Sequence, residues 1–161
     1  MLPIPVYYAL LAACLAYAFA RGGGPEKAGI VIIAIGSVLS NLLASAPQLR
    51  FSHVETGIFA IDVLALVAFF GLALRAERYW PLWMTALQLV ATAGHAVKMV
   101  DSHVIRLVYA FMMSLWTYPM LLLVVAGTWG HQRRLARRGV DRSWSISSAR
   151  SVRLPSAGPT G

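Results

Sequence analysis

The chain has 161 residues, of which 58% are hydrophobic and only 12% charged, with a mean hydropathy of +0.67. A water-soluble domain of this length cannot hide so much apolar surface, and no long polar block is present to fold as a soluble catalytic domain beside a membrane anchor. The formal charge of +8 suggests nucleic acid, yet half of the basic residues lie from Arg133 onward with Asp141 as the one acid among them, so the charge belongs to a tail and nucleic acid is not an expected partner.

Five apolar runs reach the roughly 17 to 25 residues that a helix needs to cross the hydrocarbon core of a bilayer. The first covers about residues 3–20, and Arg21-Gly22-Gly23-Gly24-Pro25 after it reads as a turn, with no G-K-[ST] to make it a phosphate loop. Ala18-Phe19-Ala20 resembles a signal-peptidase site, but no Lys or Arg precedes the run, so a retained helix is expected rather than a cleaved leader. Cys14, the single cysteine, sits in the same run and reads as a small packing residue, which excludes an intramolecular disulfide and a cysteine-based zinc site. The second run covers about residues 28–46 and stops near Pro47; the third, about 57–74, lies between Glu55 and Arg75-Ala76-Glu77-Arg78. The fourth covers about 80–100, and Asp101-Ser102-His103 then caps the fifth, about 104–129, in which Pro119 is expected to bend the helix. Short loops make sequential helices antiparallel neighbours. The expected fold is therefore all-α: an integral membrane bundle of five transmembrane helices over residues 1–130, followed by a basic tail over 131–161.

Orientation follows from the basic residues that flank the spans. With the tail inside, the inner segments hold Arg21, Lys27, Arg75, Arg78 and the tail arginines, against Arg50, Lys98 and Arg106 outside. This predicts the N-terminus outside and the C-terminus in the cytoplasm. The aromatic residues agree: Tyr7, Tyr8 and Tyr109 mark outer ends, and Tyr79, Trp80, Trp83 and Trp129 mark inner ones. Small residues at spacings of four, Ala12-Ala16-Ala20 and Gly36-Ser40-Ala44, are candidate contact faces between helices.

Topology combined with position gives the candidate site. Asn41, Asp62, His95 and Tyr109, from four different spans, fall at similar depth near the outer face. An ionisable group inside a span is expensive and faces the bundle interior or a wet cavity, which singles out Asp62. Thr85, Gln88, Thr92 and His95 recur at three- and four-residue spacings, so they form one polar stripe that points His95 inward toward Asp62, with Lys98 one turn beyond. A carboxylate and an imidazole so placed can handle a proton or grip a small polar ligand. The plainer reading is a buried hydrogen bond that fixes helix register. His53, His95 and His103 all fall toward the outer side, but no paired-ligand spacing such as H-E-x-x-H accompanies them, so no metal site is assigned. No G-x-S-x-G elbow is present and Cys14 has no nearby base, so neither an enzyme nor a cofactor is expected.

In the tail, His131 to Arg138 can extend the fifth helix by about two turns. Arg133 with Arg137, and Arg134 with Arg138, then line one side and face anionic lipid headgroups. The Ser-, Arg-, Pro- and Gly-rich stretch after Gly139 has too little apolar content to fold alone and is expected to be disordered. Pro47-Gln48 resembles the dipeptide of the PQ-loop transporters, but a second copy is absent, so the chain is assigned to no family. Two functions follow. One is a structural or accessory protein of a bacterial inner membrane, with a second copy or another membrane protein as partner. The other is a proton- or ligand-responsive transporter or sensor that uses Asp62 and His95.

Overall fold

With few polar side chains to satisfy backbone N–H and C=O groups, each apolar run closes its own hydrogen bonds as a helix. The structure, a computed structural model, describes residues 4–45, 53–100, 106–141 and Trp144. Nearly all of them belong to five α-helices: α1 (Ile4–Arg21), α2 (Gly24–Ser45), α3 (His53–Arg75), α4 (Trp80–Val100) and α5 (Arg106–Arg138). The described residues contain no strand, only an isolated bridge between Ala76 and Trp144.

Two boundaries differ from the expected ones. The turn after α1 shrinks to Gly22-Gly23, because Pro25 stands in the first turn of α2, where its missing N–H costs nothing and Glu26 complements the positive helix end. α3 begins at His53 rather than near residue 57. α5 runs through Pro119 and, as the tail sequence led one to expect, continues to Arg138; its 33 residues measure about 50 Å, well beyond the ~30 Å of a hydrocarbon core. The Asp101-Ser102-His103 cap lies outside the described residues.

The helices form a closed ring: α1 packs on α2, α2 on α3, α3 on α4, α4 on α5 and α5 back on α1, while α2 and α5 also touch across it. Side-chain pairs fix the directions. Gly57 approaches Leu43 at one end and Gly29 approaches Leu72 at the other, so α2 and α3 are antiparallel. Tyr7 meets Tyr118 edge-on, and Gln132 donates to the Arg21 carbonyl, so α1 and α5 run parallel.

Close packing does not use the small-residue stripes. Ala12, Ala16 and Ala20 are all exposed, and a Cβ added to Gly36 would touch nothing within 4 Å. The tight contacts gather instead on Trp80, which is wedged between α2 and α5: a Cβ on Gly29 would come within 2.8 Å of its ring, and one on Gly127 within 2.9 Å. Above it lies a layer of fully buried apolar residues, Ile30, Phe69, Met84 and Val124.

The outer surface is the reverse of a soluble protein's. Over residues 6–19, 35–39, 60–74, 82–93 and 122–129, every exposed side chain is apolar. Leu64, Leu74 and Leu122 are each 68% exposed. Among the described residues, two helical stretches, Gly24–Leu43 and Thr56–Arg75, are long and apolar enough to cross a membrane, against the five spans expected from the sequence, and Pro5–Arg21 is apolar but shorter.

Candidate functional site

Polar side chains gather at two levels. The upper one lies between α3 and α4. Asp62 stands about 13 Å along α3, deeper than a helix start near residue 57 implies, because the helix begins a turn earlier. The stripe on α4 faces it: Gln88 Nε2 donates to Asp62 Oδ1 at 3.1 Å and to the Asp62 carbonyl at 3.3 Å, and His95 Nε2 lies 3.0 Å from Asp62 Oδ2. Thr92 turns its hydroxyl onto the Gln88 carbonyl at 2.8 Å. Both carboxylate oxygens are thus engaged by one neighbouring helix. The pair is not sealed, since the His95 and Asp62 side chains remain 15% and 20% exposed.

Of the residues named from the sequence, it is Gln88 and His95 that these bonds bring to Asp62. Asn41 is an exposed residue near the end of α2. Lys98 and Tyr109 lie in α4 and α5, but their side chains, like that of His53, are outside the described set, and His103 is outside the described residues altogether. Among the described residues, no group of three or more His, Cys, Asp or Glu side chains is placed to hold a metal ion. On the far side of the ring, at similar height, the Tyr7 hydroxyl lies 2.6 Å from Ser37 Oγ, and the Tyr7 ring packs edge-on against both Tyr8 and Tyr118.

The lower level, at the opposite end of the bundle, was not anticipated. Glu26 on α2 is fully buried; its Oε1 accepts from Trp80 Nε1 at 3.3 Å and lies 3.9 Å from Arg78 Nε. Arg78 turns its Nη2 to Asp141 Oδ2 at 2.6 Å, where His131 Nδ1 also arrives at 2.5 Å, and Arg134 Nε donates to Asp141 Oδ1 at 3.2 Å. Asp141 reaches this position because Gly139, at φ +71°, ends α5 in the left-handed conformation while its N–H bonds the Leu135 carbonyl at 2.8 Å. The chain then returns across the bundle end. Trp144 bridges to Ala76 and lies so close to Gly24 that a Cβ there would run into its indole. Of the stretch that sequence composition assigned to a disordered tail, Asp141 and Trp144 are thus docked against the bundle; residues 142, 143 and 145–161 lie outside the described set.

Burial pushes the Asp141 carboxyl up, but the bonds from Arg78 and His131 and the charges of Arg78 and Arg134 outweigh it and hold the group below the usual carboxylate range. One signal for this cluster was present in the sequence: Asp141 is the lone acid in a run of arginines, and a single countercharge in such a run is a natural anchor.

The four arginines in the last turns of α5 separate in role. Arg133 lies over the Trp129 ring at 3.8 Å from its centre, Arg134 holds Asp141, and Arg137 and Arg138 are exposed on the last turn. Comparison with family models, with curated proteins and with solved structures gives no match to this chain.

Proposed function

We propose that the protein is a five-span integral membrane bundle of a bacterial inner membrane, N-terminus outside and C-terminus inside, acting as a structural or accessory component, alone or with a membrane partner. One observation carries this reading: among the described residues, the exposed side chains between the bundle ends are apolar apart from Asn41, while Asp62, Gln88 and His95 are turned inward and paired. Such a surface is stable against lipid and aggregates in water. The accessory role is supported by the separation of the two polar levels. Asp62, Gln88 and His95 bond one another, Glu26, Arg78 and Asp141 do the same, and the buried Ile30, Phe69, Met84 and Val124 lie between. A carrier needs a polar route across such a layer, whereas a scaffold needs only paired groups. The test is alkaline extraction of membranes that express the chain, with reporter fusions after Arg138 and in the segment near Arg50. Retention in the pellet, with a cytoplasmic reporter at the first position and a periplasmic one at the second, is expected. Release into the supernatant defeats the membrane assignment.

The partial exposure of the His95–Asp62 pair favours a second reading, in which the pair answers to protons or a small ligand from the outer side. The two readings part on Asp62→Asn combined with His95→Gln. A scaffold keeps its fold and its partners in that double variant. A responsive protein loses its pH-dependent behaviour, and preserved pH dependence removes the second reading.

A further inference from the structure

The geometry points to a phosphate-binding pocket at the inner end of the bundle, completed by the returning chain and fitted to the headgroup of an anionic lipid. It rests on the membrane reading above, because that reading puts this end at the inner leaflet.

A cavity of about 530 Å³ opens between the α3–α4 connection and the end of α5, lined by Glu77, Arg78, Arg134, Arg138, Val140 and Asp141. Its volume lies in the range of small-molecule sites and exceeds what a single phosphate group requires. Three guanidinium groups face two carboxylates there. Asp141 is already matched by Arg78, His131 and Arg134, so it makes no claim on Arg138. Arg138 makes no hydrogen bond or ion pair among the described residues and leaves a full fork of donors at the rim. A guanidinium fork matches phosphate oxygens two at a time.

Phosphate can come from solution or from a lipid, and the surroundings favour the lipid. Tyr79, next to Arg78 on the cavity wall, is 85% exposed, and Trp83 one turn further on is 65% exposed. Exposed aromatics beside a basic rim are the side chains that settle at headgroup level. The pocket therefore opens where phosphodiesters are concentrated.

The test uses the full chain reconstituted in vesicles of zwitterionic lipid with a minor share of anionic phospholipid, followed by native mass spectrometry of retained lipid. Arg138→Gln is expected to lower retention of the anionic lipid by about tenfold, since one charge-assisted pair is lost. Arg137→Gln, one residue away and outside the cavity, is expected to change it by less than about twofold, and Glu77→Gln to raise it, because a repelling carboxylate is removed. Equal losses in Arg138→Gln and Arg137→Gln mean a diffuse basic surface and overturn the pocket. If inorganic phosphate protects the detergent-solubilised protein against heat as well as the anionic lipid does, the headgroup assignment is overturned. Alkaline extraction of the same vesicles reports separately: a chain that washes off defeats the membrane reading and the lipid site with it, whereas an embedded chain with indifferent variants defeats the pocket alone.

Discussion

Arg78 and Asp141 form a nearly buried ion pair at the lower end of the bundle. Their side chains are only 5% and 6% exposed, so each charge depends on the other for what water no longer supplies. Removing the carboxylate takes from Arg78 its 2.6 Å partner, whereas Glu26 stands further off at 3.9 Å. Asp141→Ala is therefore expected to destabilise the protein by about 3 kcal/mol, the cost of breaking rather than replacing a buried pair, read from thermal unfolding in detergent. The pH dependence has a definite sign. The folded state holds the Asp141 carboxyl below its usual range, so its contribution is fully present above the ordinary carboxylate value and is lost as pH falls toward the depressed one. Wild type should thus lose stability in mildly to strongly acidic buffer, and Asp141→Ala should lose less across the same interval. An identical acid profile in the two proteins rules out Asp141 as the source.

For the helices, the close approaches decide which substitutions matter. Gly29 and Gly127 clasp the Trp80 ring from α2 and α5, whereas Gly36 has open space beside it. Trp80 cannot step aside without giving up its bond to the buried Glu26. Gly127→Leu is expected to cost about 1 to 3 kcal/mol through overpacking and Gly36→Leu close to nothing, measured by thermal unfolding of the purified variants. Equal effects at the two positions contradict the clasp. The contrast also marks how far the sequence could be read. Helix existence was legible, because long apolar runs admit no other structure, and the spacing Gln88-Thr92-His95 already aimed one stripe at Asp62. Which glycines lie at crossings was not legible, since a stripe of small residues says only that approach is permitted. The Glu26–Arg78–Asp141 cluster escaped for a related reason: it joins α2, the α3–α4 connection and the returning tail, and no periodicity within one helix encodes such a meeting.

At the scale of the molecule, the ring has a seam between its first and last helices. Tyr7 against Tyr118 and Arg21 against Gln132 join residues 111 positions apart, and α1 also packs on α2 at its other flank. Contacts so distant in sequence cannot form until both partners have been made. The nascent chain leaves the ribosome with α1 and α2 able to associate at once, while the opposite flank of α1 waits through the synthesis of α3 and α4. In the membrane setting proposed above, lipid or an insertase covers it during that interval, and the emergence of α5 closes the circle. Quality control by a membrane protease would therefore find its recognition signal in any chain that stalls before its last helix.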